Sequence, residues 1–246
     1  GEALALDQDA RAAALALPVL ERYVIADDVE FEDASETVAR GLLLGSASAE
    51  RLAQAGVPTP EPGVFATVPW DGGDLLVLRR DLGRVPAYEW VLPAPSLPSL
   101  AERLAVDVLA PAVLEAVRVG EAVPAYGYEL DEQTMPLEAR LEHRAVAFDK
   151  GCYPGQEPVV MAHHRGKPAN LLVRVVLDGD TSLEPGAPLL RDGRPIGRVT
   201  TIAPGTPTRA LALVRHALAE EGQSFALEGG GEARVLGADE SRDATA

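Results

Sequence analysis

Asp149-Lys150-Gly151-Cys152-Tyr153-Pro154-Gly155-Gln156-Glu157 is the stretch from which the rest of this 246-residue chain is read. It holds the only cysteine. Tyr153-Pro154-Gly155-Gln156 fits a type II turn, with proline at the second position and glycine at the third, where φ must be positive. Glu157 is expected to be extended, because Pro158 follows it. A lone cysteine is ordinarily a buried small hydrophobe. Here Lys150, His163, His164 and Arg165 lie close in sequence, and nearby cations favour the thiolate. The thiol therefore reads as a reactive group, as the shaped wall of a ligand site, or as plain core.

Lys-Gly-Cys-Tyr-Pro-Gly-Gln-Glu resembles the signature of the YgfZ-type folate-binding proteins, relatives of the glycine-cleavage T-protein (aminomethyltransferase). The flanks agree. Arg118, then Val123-Pro124-Ala125-Tyr126-Gly127-Tyr128-Glu129, then Met135-Pro136-Leu137-Glu138 resemble that family's upstream run. Arg165-Gly166-Lys167 resembles its downstream element. The resemblance is strong from Arg118 to about Lys167 and weak elsewhere. It implies an α+β class: a T-protein-like folate-binding portion over residues 1–167 and a small β-barrel over 168–246, with modules closing around a central hole for folate.

Composition bounds the reading. The 38 acidic and 22 basic residues leave a net charge of −16, which repels a phosphate backbone at long range and disfavours direct nucleic-acid binding. One cysteine excludes an internal disulfide framework and a four-cysteine iron–sulfur site within one chain. No run approaches the ~20 apolar residues of a membrane span, and no secretory signal is evident, so a cytoplasmic protein without a membrane partner is expected. The chain opens on Gly1 without an initiator methionine, in what reads as a strand through Leu4 and Leu6. A preceding segment of the family is expected to be missing.

Along the chain, Asp7 or Asp9 is expected to cap a helix towards Tyr23, with Pro18 kinking it. Val29 and Phe31 read as a strand, as does Leu42–Leu44, and Ser46 or Ser48 as the cap of a helix ended by Gly56. Strands at 64–68 and 74–78 flank an Asp71-Gly72 turn, and 88–92 is another. Pro93–Pro98 reads as a stiff linker. Helices follow near 99–106 and 111–119. Beyond Lys167, Leu171, Val173, Val175 and Leu177 share a strand face, and Arg191-Asp192-Gly193-Arg194 reads as a hairpin. Further short strands and the turn at Gly229–Gly231 complete a small barrel or sandwich. The tail from Asp239 is polar.

Among the side chains, Glu129, Asp131 and Glu132 read as a solvated acidic loop or as a carboxylate cluster. The resemblance singles out Glu129, whose carboxylate would accept two adjacent N–H groups from a pteridine edge. Tyr126 or Tyr128 would cover a ring face or pack in the core. Arg118 would hold a carboxylate, either Glu138 or the glutamate tail of folate, or lie on a helix surface. Glu138 reads as structural. His163 and His164, read as strand neighbours, point to opposite faces and cannot share an ion, and no metal-type spacing links them to His143 or His216; no metal site is expected.

The leading expectation is a tetrahydrofolate-binding accessory protein for iron–sulfur cluster assembly or repair, indirectly supporting tRNA-modifying enzymes, with iron–sulfur client proteins as partners. Cys152 is its functional thiol and Lys150 the cation beside it. Glu129, Tyr126, Arg118, Tyr153, Gln156 and Glu157 contact or shape the site for reduced folate. The rival expectation is a folate-dependent aminomethyltransferase. A folate-free scaffold is the third.

Overall fold

The computed structural model describes residues 6–26, 28–165, 167–179, 183–203 and 205–237, with only the backbone described at 13, 14 and 165. The expected opening strand through Leu4, the polar tail, Gly166 and the side chain of Arg165 lie outside that set. By Cα proximity the chain forms two compact units, Gly1–Ala110 and Pro111–Ala246.

In the first unit, α1 (Ala10–Tyr23) is capped by Asp9, whose side chain accepts from the Arg11 amide at 2.9 Å. Pro18 lies inside this helix. The strand expected at Val29 and Phe31 is absent. Its acidic neighbours leave too little apolar surface to hold a strand on a sheet. Four antiparallel strands follow: β1 (Val38–Leu44), β2 (Phe65–Trp70), β3 (Gly73–Arg79) and β4 (Ala87–Pro93), in the order β1-β4-β3-β2. Asp71-Gly72 makes the tight β2–β3 turn, with Gly72 at φ 79°.

The helix α2 (Ser48–Gln54) starts from Ala47 without a side-chain cap, so neither Ser46 nor Ser48 serves as expected. The expected proline linker is instead a 3-10 turn, Ala94–Ser96, running into α3 (Leu97–Leu104). Proline is tolerated there because first-turn N–H groups need no helical partner. Leu43, Leu75, Val77, Tyr88 and Leu92 from the sheet form one core with Leu52 of α2 and Leu100 and Leu104 of α3. Gly41 faces Trp90 across β1 and β4, and a Cβ at Gly41 would collide with the indole.

In the second unit, α4 (Pro111–Gly120) precedes a turn-rich segment and α5 (Gln156–Arg165). Then come β5 (Asn170–Asp178), β6 (Pro188–Arg191), β7 (Arg194–Ala203), β8 (Thr208–Arg215), β9 (Ser224–Leu227) and β10 (Glu232–Val235). They close a six-stranded barrel in the order β10-β5-β8-β7-β6-β9. Val173, Val175 and Leu177 of β5 fill its interior with Ala210, Ala212 and Val214 of β8 and Phe225 of β9. The alternate residues Leu172, Leu211 and Leu213 point outward and form a second cluster with Val119 of α4. The α+β class with a small C-terminal barrel is therefore the observed fold. No helix among the described residues is long and apolar enough to cross a membrane.

Candidate functional site

Arg118, in the last turn of α4, is the centre of a buried polar network within the second unit. It is 5% exposed. Its guanidinium donates to Glu129 Oε2 at 2.5 Å, to Glu115 Oε2 at 2.7 Å, to the Val123 carbonyl at 2.9 Å and to Thr201 Oγ1 at 2.7 Å. Glu129 is fully buried. Its Oε1 accepts the Thr201 hydroxyl at 2.6 Å, and its Oε2 also accepts the Ala125 amide at 3.0 Å. Burial would push the Arg118 pKa down. The hydrogen bonds and charges of Glu115 and Glu129 outweigh it and hold the pKa above the usual arginine value.

The network depends on a bulge in β7. Val199 pairs with Ala212 and Thr201 with Leu211, so the register skips Thr200. Regular alternation would put residues 199 and 201 on one face. The extra residue instead leaves Val199 in the barrel core and brings Thr201 to Arg118 and Glu129.

The same carboxylate organises the turn carrying the tyrosines. The amides of Glu129 and Leu130 bond the Ala125 carbonyl at 3.1 Å, the Gly127 amide bonds the Leu130 carbonyl at 2.8 Å, and Gly127 adopts φ 81°. Tyr126 is half-buried. Tyr128 is 40% exposed, with the Arg118 guanidinium carbon 5.3 Å from its ring centre. Glu138 is not the partner of Arg118. Its Oε1 accepts the amide and side chain of Asn170, both at 2.9 Å, and Oε2 accepts the Met135 amide at 3.2 Å, pinning this loop to the start of β5.

The cysteine turn forms as its residues require. Gln156 N–H bonds the Tyr153 carbonyl at 3.2 Å, and Gly155 has φ 82°. Glu157 is not extended. It lies in the first turn of α5, as does Pro158, because that proline falls where a helix needs no N–H. Cys152 is exposed. The Lys150 ammonium lies 4.6 Å from the centre of the Tyr153 ring, whose buried hydroxyl has no hydrogen-bond partner among the described residues. Gln156 is half-buried and Glu157 exposed. His163 and His164 sit on α5 rather than on a strand, and His163 stacks on Phe148 at 4.1 Å. No group of metal-ligating side chains occurs among the described residues.

The structure thus joins Arg118 with Glu129, and Lys150 with Tyr153. Sequence reading missed Thr201 and Glu115. Glu115 carried a signal, the i,i+3 spacing to Arg118 on one helix. Thr201 carried none, since it arrives from 83 residues away through a bulge.

No family model matches the chain. The aminomethyltransferase of Rubrobacter xylanophilus is 32% identical over 201 residues, 78% of this chain and 53% of that protein. The aminomethyltransferase of Moorella thermoacetica is 36% identical over 103 residues, 41% of this chain and 28% of that protein. The chain thus spans about half the length of the first of these relatives, 53%, and less of the second. In fold it is similar to the glycine cleavage system aminomethyltransferase T from Bartonella henselae, with a TM-score of 0.75 and 23% identity, covering 95% of this chain and 67% of that one. These findings overturn the expectation of an iron–sulfur accessory protein, since the relatives are aminomethyltransferases. The iron–sulfur clients and the link to tRNA modification fall with it. Sequence and fold together support the glycine-cleavage T-protein superfamily, and not specifically the YgfZ-type subfamily that the cysteine stretch resembles.

Proposed function

We propose that this chain is a folate-dependent aminomethyltransferase of the glycine-cleavage type, with a tetrahydrofolate as the acceptor of the one-carbon unit. The observation that carries the reading is its similarity in sequence to aminomethyltransferases, 32% over 201 residues for one of them. The turn at residues 125–130 fits part of what a pteridine needs. Tyr126 and Tyr128 supply ring faces, and the guanidinium of Arg118 braces Tyr128 from one side.

Glu129 acts in this reading as a positioning residue. Its carboxylate is engaged by Arg118, Thr201 and the Ala125 amide, so it shapes the tyrosine turn and does not meet the pteridine edge directly. Tyr153, Gln156 and Glu157 shape the start of α5 beside Lys150 and the exposed thiol of Cys152.

The test is to mix the 246-residue chain with tetrahydrofolate and an aminomethyl-loaded lipoyl carrier. Formation of methylene-tetrahydrofolate with release of ammonia is expected. Folate binding without any such turnover would overturn the reading. The Cys152→Ala variant in the same assay decides the thiol's part: an unchanged rate removes it from the reaction.

A further inference from the structure

Three arginines line one cleft of the barrel. Arg191 ends β6, Arg194 begins β7 and Arg215 ends β8. Pairing across the hairpin sets Arg191 opposite Arg194, and Asp192-Gly193 close it with φ 52° and 72°. Both positive values mark the tight turn that suits a twisted two-strand ribbon. Leu189 pairs with Gly197 and Leu190 with Pro195, so Ile196 is the extra residue of a bulge. It is buried and supplies an apolar wall. Gly197 pairs with Val214, which leaves Arg215 one step further along β8, beside Ile196. A Cβ on Gly197 would strike the Leu213 carbonyl, so the close approach of β7 and β8 that brings Arg215 here requires glycine.

The cleft has a volume of about 410 Å³ and is lined by Arg191, Asp192, Arg194, Ile196 and Arg215. That lies within the range of roughly 300–1,000 Å³ typical of small-ligand sites. None of the three guanidiniums is ion-paired among the described residues. Three cations against the single carboxylate of Asp192 make a positive spot on a chain whose net charge is −16. Like charges gathered in this way repel one another, and an anion among them relieves the repulsion. Guanidinium forks match the paired oxygens of carboxylates and phosphates. One anionic group occupies one fork or two, whereas three forks around one space favour a ligand with several.

We infer that this cleft binds a small multivalent anion carrying two or more carboxylate or phosphate groups. The inference does not rest on the aminomethyl-transfer reading. Tri-glutamate, citrate and pyrophosphate, each titrated calorimetrically into the 246-residue chain at fixed ionic strength with acetate as control, test it. One molecule bound per chain, more tightly than acetate and weakening as salt is raised, is expected. Tri-glutamate and citrate against pyrophosphate distinguish a carboxylate source from a phosphate source. The Arg194→Gln/Arg215→Gln variant should bind about tenfold more weakly or worse, since each lost charge-assisted hydrogen bond is a large share of a small ligand's affinity. Should that variant fail to fold, Asp192→Asn should bind about threefold more tightly, by removing the one opposing charge. If none of the three anions outbinds acetate at millimolar concentration, or if the arginine variant binds undiminished, the inference fails.

Discussion

Thr201 donates its hydroxyl proton to Glu129 at 2.6 Å and accepts from Arg118 at 2.7 Å, so a barrel strand is latched to the last turn of α4 and to the loop that follows it. Thr201→Val should leave a carboxylate oxygen and a guanidinium N–H short of a partner. The expected loss is about 1–3 kcal/mol, the cost of stranding buried polar groups. Thr201→Ser should retain most of the stability. Urea unfolding followed by circular dichroism, with the midpoint shifting and the slope constant, checks both.

Glu129→Gln should cost more. Arg118 would keep Glu115 but lose the charge facing it from inside, and breaking a buried pair by removing one partner costs roughly 3–5 kcal/mol. The double replacement Arg118→Met/Glu129→Leu should recover much of that, because no buried charge remains uncompensated. A double variant as unstable as the single would show that the network's worth lies outside the ion pair. If tetrahydrofolate binds at the tyrosine turn as proposed, its calorimetric affinity should weaken in Glu129→Gln, and an unchanged affinity would remove the carboxylate from a positioning role.

Gly41→Ala tests packing in the first unit. The added methyl meets the Trp90 ring, which must shift. Overpacking of this kind costs roughly 1–3 kcal/mol. Trp90 emission, read in a Trp70→Phe background, should move to the red with a lowered melting temperature. Unaltered emission would show that the added methyl is absorbed without moving the Trp90 ring.

Asp9 gives a pH-dependent helix end. Hydrogen bonds from the Arg11 side chain and amide hold its carboxyl at about 2, below the ordinary 3.8. A depressed folded-state pKa means that the cap's contribution is complete above the unfolded value and is lost as pH falls through the folded one. Helicity of α1 should therefore decline between about pH 4 and pH 2. Asp9→Asn keeps a capping oxygen without the titration. The part of the far-ultraviolet signal that this variant makes independent of pH is the measure.

Local rules carried the reading where structure is local. Asp71-Gly72, Asp192-Gly193 and Tyr153-Pro154-Gly155-Gln156 form turns because proline and glycine set φ without help from the rest of the chain. Of the alternating Leu171, Val173, Val175 and Leu177, the last three belong to the barrel core and Leu171 does not. Pro158 misled in the opposite sense. Proline disfavours a helical residue before it, yet a first helical turn accommodates both Glu157 and Pro158. The candidate site was legible in its residue types, since Arg118, Glu129 and the tyrosines all stood out. Their arrangement was not. The third partner, Thr201, reaches Arg118 and Glu129 through a bulge in β7, and a bulge leaves little trace in a run such as Val199-Thr200-Thr201-Ile202. The octapeptide around Cys152 resembles the YgfZ-type subfamily, whereas the similarity over 201 residues supports the wider superfamily without singling out that branch.

The middle of strand β8 has no wet side: Ala210, Ala212 and Val214 face the barrel interior while Leu211 and Leu213 lie with Val119 of α4. Its amides should be the last of the unit to exchange with deuterium, and only when the whole unit opens. A fragment starting after Lys167 would strip the helix away and bare a greasy flank along the barrel, so it should clump or melt early. Residues 111–246 should instead hold together as the smallest piece that comes apart in one step.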